Sequence, residues 1–229
     1  MRPAALAAFA ASLLATAPAF AQERVSSQHG PVTVETVTGG LVHPWGLAAL
    51  PDGRMLVTER PGRLLIAARG GALSQPLAGV PEVFARGQGG LLDVALDPDF
   101  PDNRLVYLSF AEPGEGGAST AVARGRLAAD RLDGTEVIFR QQPKLPGDKH
   151  FGSRLAFAPD GTLFVTTGER FKFDPAQDPS NHLGTVVRIN RDGSVPGDNP
   201  LAGREGAKPE IWSYGPFRAE GTGEVGGTA

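Results

Sequence analysis

Between residues 46 and 170, short apolar runs alternate with polar turns in a form that repeats. "GLAALPDGRMLVTERPGRLLIA" covers 46–67, "DVALDPDFPDNRLVYLSFA" covers 93–111 and "RLAFAPDGTLFVTTGER" covers 154–170. Each begins with an apolar run, breaks at a Pro-Asp turn and resumes with a second apolar run. In the first and third the turn is Pro-Asp-Gly, in which Pro pre-sets φ and Gly accepts a positive φ. Runs this short, bounded this way, predict antiparallel hairpins. The mature chain shows no strong 3.6-residue period, so very little helix is expected.

The repeated prolines, Pro51, Pro98 and Pro159, are 47 and 61 residues apart. A period near 40 to 50 residues built of hairpins predicts β-propeller blades of four strands each. The longer interval predicts an insertion within 112–148, around "EPGEGGAST". "LGTVVRINRDGSVPGDNP", with its Arg-Asp-Gly-Ser turn, is expected to open a fourth unit. The length after residue 21 is enough for roughly four all-β propeller blades, either a closed four-bladed ring or a chain that stops inside a six-bladed one, and residues 22–39 are read as a leader and first strand.

Composition agrees with many turns, for the 229 residues include 31 Gly and 20 Pro. Net charge is −3 with both signs interspersed, and no basic patch or run occurs, which argues against nucleic acid. The absence of cysteine excludes a disulfide scaffold, a thiol enzyme, a cysteine-ligated metal and a lipoprotein. "MRPAALAAFAASLLATAPAFA" places one Arg before an Ala/Leu-rich run that closes on Ala19-Phe20-Ala21. Residues 1–21 are read as a signal peptide cleaved after Ala21 and not as an anchor, since the run is barely long enough to span a bilayer and carries Pro18. The expected location is periplasmic or secreted, with no membrane span after cleavage.

Chemistry is sought at the strand ends, where propeller side chains converge on the channel. Glu59 and Glu169 end the second apolar runs of two repeats, in "LVTER" and "FVTTGER". His150 precedes "RLAFA", whose hairpin partner ends at Glu169. The start of one hairpin strand lies beside the end of the next, so His150 and Glu169 are candidate neighbours at one rim. A carboxylate beside an imidazole fixes its tautomer and raises its basicity, which suits a general base. The alternative is an exposed loop histidine with Glu169 paired to Arg170 or Lys172. His29 falls in the polar leader, expected to be unordered. His43 fits a structural turn with Trp45 packing inward, and His182 fits a structural strand-leading position. No H-x-x-x-H, EF-hand or G-x-S-x-G pattern occurs, and the Gly-rich "RGQGG" opens no helix that would cradle phosphate.

Taken together, "HPWGLAALPDGRMLVTERPGRL", "GQGGLLDVALDPDF", "KHFGSRLAFAPDGTLFVTTGER", "AQDPSNHLGTVVRINRDGSVPGDNP" and "PEIWSYG" resemble the soluble quinoprotein glucose/sorbosone dehydrogenase family, nearest to its periplasmic aldose sugar dehydrogenase branch. The resemblance implies a six-bladed β-propeller, of which residues 40–215 would form an incomplete ring of about four blades, with pyrroloquinoline quinone (PQQ) over the channel and a calcium ion that polarises it. It implies oxidation of an aldose at C1 to the lactone, with electrons passed on to an external acceptor. It further implies that His150 is the general base, Glu169 its orienting carboxylate and Gln88 of "GQGG" a cofactor-binding residue.

After "PEIWSYG" the resemblance stops. The family continues with His-Arg-Asn-Pro-Gln-Gly, whereas here "PFRAEGTGEVGGTA" follows, so 216–229 are read as a divergent Gly-rich tail. Most ligands for PQQ and calcium are then expected to be missing, no metal ligand is assigned in the chain, and the chain reads as an impaired fragment. A non-catalytic secreted propeller that serves as a binding module is the alternative. A calcium-dependent lactonase propeller would need a converging Asn, Asp and Glu set, which is not identified.

Overall fold

The computed structural model describes residues 22–215. The expected signal peptide and the Gly-rich tail lie outside the described residues. Two compact units divide the chain at Val37 and Thr38. The first contains a hairpin, β1 (Gln22–Ser27) and β2 (Gly30–Glu35), in register from Gln22 opposite Glu35 to Ser27 opposite Gly30. This stretch was expected to hold one strand. It holds two, because Gly30 takes φ 109° and closes the turn in which His29 sits, held at its backbone N–H by Ser27 Oγ at 3.2 Å.

The second unit holds three successive antiparallel meanders. The first comprises β3 (Pro44–Ala49), β4 (Met55–Glu59) and β5 (Arg63–Ala67). The next comprises β6 (Leu91–Leu96), β7 (Leu105–Gly114), β8 (Gly117–Leu127) and β9 (Leu132–Arg140). The last comprises β10 (Gly152–Phe157), β11 (Leu163–Thr167), β12 (Thr185–Ile189) and β13 (Ile211–Tyr214). Helix among the described residues is limited to one turn at Phe100–Asn103 and a 3₁₀ turn at Asp174–Gln177. With the hairpin this makes four antiparallel sheets, the strand meanders of an incomplete propeller.

The repeated turns share one construction. Gly53, Gly161 and Gly193 have φ of 81°, 83° and 86°, and Asp52, Asp160 and Asp192 each accept the N–H two residues on, at 2.9 to 3.0 Å. The Arg-Asp-Gly-Ser turn nevertheless does not open a fourth blade. It follows β12, the third strand of the last meander, because the apolar run 185–189 pairs with β11 from Leu163↔Ile189 to Thr166↔Val186. "EPGEGGAST" is likewise a hairpin end and not a loop insertion. Its residues extend β7 and β8 to 10 and 11 residues, and these longer strands take up much of the wider interval.

The first strand of each meander packs beside the next, β3 on β6 and β6 on β10. All three bulge near their start, at Pro44/Leu47, Leu91/Val94 and Gly152/Leu155. A bulge frees an N–H, and each time a hydroxyl from the second strand accepts it: Gly46 N to Thr58 Oγ1 (2.8 Å), Asp93 N to Ser109 Oγ (2.9 Å) and Arg154 N to Thr166 Oγ1 (2.9 Å). Thr58 and Ser109 then donate onward to carbonyls of the next meander, Leu92 O and Ser153 O. Apolar side chains fill the space between adjacent sheets. Leu56, Leu64, Leu91, Val106 and Leu108 lie between the first two, and Tyr107, Val122, Leu163, Val187 and Ile189 between the last two. This packing fixes the inner strand starts, where the candidate residues sit.

Candidate active site

Gln88 precedes β6 and His150 precedes β10, so both stand at the same end of the inner strands. The loop 145–150 and the end of β11 come together because Gly168 has no side chain. A Cβ there would lie 1.7 Å from His150 O. His150 itself has φ 53°, a left-handed conformation that is uncommon outside glycine, and it aims the ring back toward β11.

His150 Nδ1 and Glu169 Oε1 are hydrogen-bonded, with both side chains largely buried. A carboxylate can only accept, so Nδ1 carries the hydrogen and Nε2 is the basic nitrogen of the ring. Glu169 is thus bound to His150, not to Arg170 or Lys172 as in the alternative reading; Lys172 meets Glu169 only through its backbone N–H to Glu169 O, 3.1 Å. Gln88 joins the same cluster. Its Oε1 accepts the His150 backbone N–H at 2.7 Å, and its own N–H donates to Asp148 O at 2.8 Å. The structure therefore brings His150, Glu169 and Gln88 into one hydrogen-bonded group.

The other candidates have other partners. Glu59, at the equivalent end of β4, is fully buried but accepts the Val42 N–H at 2.5 Å and pairs with Arg63. His43 is exposed in a turn with φ 50°, and Trp45 beside it is half-buried under Arg154, whose guanidinium lies 4.3 Å from the ring. His182 is buried and structural. Its Nδ1 accepts the Gln142 N–H at 3.2 Å, leaving Nε2–H to meet Glu210 at 3.3 Å, and this bond holds the Glu210 carboxyl below its ordinary value.

Two features had no clear mark in the sequence. Phe171 stacks edge-on against the His150 ring at 5.1 Å, over half exposed, with Phe173 5.0 Å beyond it. Arg170 is buried and flat on Phe151, 3.7 Å from guanidinium to ring centre, and burial pulls its pKa down to about 10. The Glu-Arg repeat was the available cue, but only the glutamates carried a chemical expectation.

A metal of the calcium type finds no match here, since no group of three or more His, Asp or Glu side chains is placed to hold an ion among the described residues. Toward a planar anionic cofactor this loop end would offer Gln88, bonded to the His150 N–H, and the exposed Lys149, whose ammonium lies 5.5 Å from the ring of Phe171 beside His150. No helix among the described residues is long and apolar enough to cross a membrane.

Comparison with known proteins agrees on one family. The sequence model of the glucose / sorbosone dehydrogenase family matches residues 41–222. The aldose sugar dehydrogenase YliI of Escherichia coli (strain K12) is 48% identical over 188 residues, covering 80% of this chain and 51% of that protein. A crystal structure of a glucose dehydrogenase superimposes with TM-score 0.77 at 53% identity, over 78% of this chain and 53% of the other. The PQQ-bound aldose sugar dehydrogenase of Streptomyces coelicolor superimposes with TM-score 0.67 at 30% identity, over 87% and 56%. The chain spans about half the length of the relatives it matches. It belongs to the glucose/sorbosone dehydrogenase family.

Proposed function

We propose that the chain carries the base-bearing half of a PQQ-dependent aldose dehydrogenase that oxidises the sugar at C1 to the lactone. The observation that carries this reading is the His150–Glu169 hydrogen bond, in a chain 48% identical over 188 residues to an aldose sugar dehydrogenase. His150 Nε2 takes the proton of the C1 hydroxyl. Glu169 holds the ring in the tautomer that makes Nε2 basic and steadies the imidazolium as it forms. Gln88, with Lys149 and Arg86 beside it, holds one edge of the cofactor. When bound, PQQ supplies the two-electron acceptor for the C1 hydride, and an external acceptor reoxidises it. No step is routed through calcium, whose donors are not found among the described residues. Export through a signal peptide cleaved after Ala21 belongs to the same reading, and an N-terminus at Gln22 on the exported protein is its mark.

The test uses this chain completed with the remaining blades of the Escherichia coli relative and loaded with PQQ and calcium. His150→Ala is expected to lower kcat for dye-linked aldose oxidation by about 10³-fold, and Glu169→Gln by about 10-fold to 100-fold. A His150→Ala enzyme within about twofold of the parent, well short of any general-base contribution, overturns the assignment.

A further inference from the structure

The Glu-Arg pairs that end β4 and β11 repeat in sequence, and their arginines do related things on either side of the candidate base. Arg60 donates through Nε to Gly89 O at 3.2 Å and through Nη2 to Gly87 O, so its guanidinium grips both residues that flank Gln88. Arg60 O accepts the Leu91 N–H at 3.1 Å, tying the same loop from the backbone side. Arg170 donates through Nη1 to Lys149 O, through Nη2 to Gly147 O (2.7 Å) and Leu145 O (3.5 Å), and through Nε to Ala118 O (3.4 Å). Its own N–H reaches His150 O at 3.3 Å. A rigid fork of donors is suited to collecting several carbonyls at once.

The two gripped loops meet each other. Gln88 bonds to His150 N and Asp148 O, and a Cβ on Gly87 would strike the Asp148 carboxyl at 2.4 Å. The order across the site is therefore Arg60, the 87–89 loop, the 148–150 loop, then Arg170 and Glu169. His150 keeps a left-handed φ that costs energy in a non-glycine residue, so something must hold it. A buried guanidinium is also costly unless it is well bonded, and here its bonds go to the main chain that presents His150.

We propose that Arg60 and Arg170 are positioning residues of the proposed dehydrogenase: they set the place of His150 by clamping the two loops that meet at it. The inference rests on the reading of His150 as general base. Both guanidiniums act on main-chain carbonyls and neither is assigned a contact with the reacting atoms.

The first measurement is residue-resolved hydrogen exchange on the 229-residue chain, comparing wild type with Arg60→Gln, Arg60→Lys, Arg170→Met and Arg170→Lys. The His150 amide and those of 87–89 and 147–150 are expected to exchange about 10-fold faster in the Gln and Met variants, with the amides of β7 and β12 unchanged. The Lys variants are expected to fall between. If Arg170→Met does not fold, Arg60→Gln and Arg170→Lys carry the comparison. The second measurement, on the blade-completed enzyme, expects Arg60→Gln to lower kcat about 10-fold with KM within about twofold, the split of a misplaced base. Uniform loss of protection across β6 to β8, or local loss with wild-type kcat, overturns the clamp. If His150→Ala abolishes turnover while Arg60→Gln changes neither readout, the clamp fails and the base assignment stands. If His150→Ala is active, both fall.

Discussion

Histidine takes two different parts in this chain, and its neighbours decide which. His150 gives its Nδ1 hydrogen to a carboxylate at a loop end, whereas His182 spends both ring nitrogens on structure, one on the Gln142 amide and one on Glu210. The His182 bond makes a pH prediction. Because it lowers the Glu210 pKa from 4.5, the stabilisation is present above that ordinary value and is lost as pH falls through the lower folded value. Glu210→Gln is therefore expected to be less stable than wild type by ~1 kcal/mol at pH 7, with the gap closing in acid. Denaturant midpoints at pH 7 and below the Glu210 transition check it. A gap that stays constant across that range removes the pair's contribution.

Among strands, the hydroxyl relay at the bulges couples one meander to the next. Ser109 is fully buried, accepts from Asp93 N at 2.9 Å and donates to Ser153 O at 2.6 Å. Its removal leaves a buried N–H and a buried carbonyl short of a partner. Ser109→Ala is expected to lower stability by about 2 kcal/mol, read as a lower urea midpoint at unchanged slope. An unchanged midpoint would mean that another group takes over both bonds. The Thr, Ser and Thr of "LVTER", "YLSFA" and "FVTTGER" stand in comparable places of the repeats and are visible in the sequence. Their use is not, because a bulge on the facing strand is needed before the hydroxyl has an N–H to accept.

The assembled chain offers the proposed base His150, its carboxylate partner Glu169 and the proposed cofactor contact Gln88. Its last described strand, β13, lies at a sheet edge with Trp212 and Tyr214 exposed on it. An anionic quinone bound with few cations loses more on desolvation than the remaining contacts return. The purified 229-residue chain, given PQQ, calcium and an aldose, is expected to show no dye-linked oxidation above background, and the blade-completed chain is expected to show it. Turnover by the shorter chain that disappears in His150→Ala would mean that the residues present suffice.

Much of this protein could be read from local pattern. The short apolar runs and Pro-Asp-Gly turns depend on neighbours in sequence, so the sheet-rich fold, the hairpins and the near absence of helix among the described residues were legible, as was the proximity of His150 to Glu169 across one hairpin. What sequence order did not settle depended on pairing over longer distances. The run 185–189 looked like the start of a new blade, and its pairing with β11 made it a third strand. Glu59 and Glu169 end similar runs, but one is spent on Val42 and Arg63 and the other on His150. The arginines beside them are indistinguishable in one dimension from surface charges. Their function as clamps exists only because packing of β3, β6 and β10 brings the carbonyls of distant loops within reach of a guanidinium.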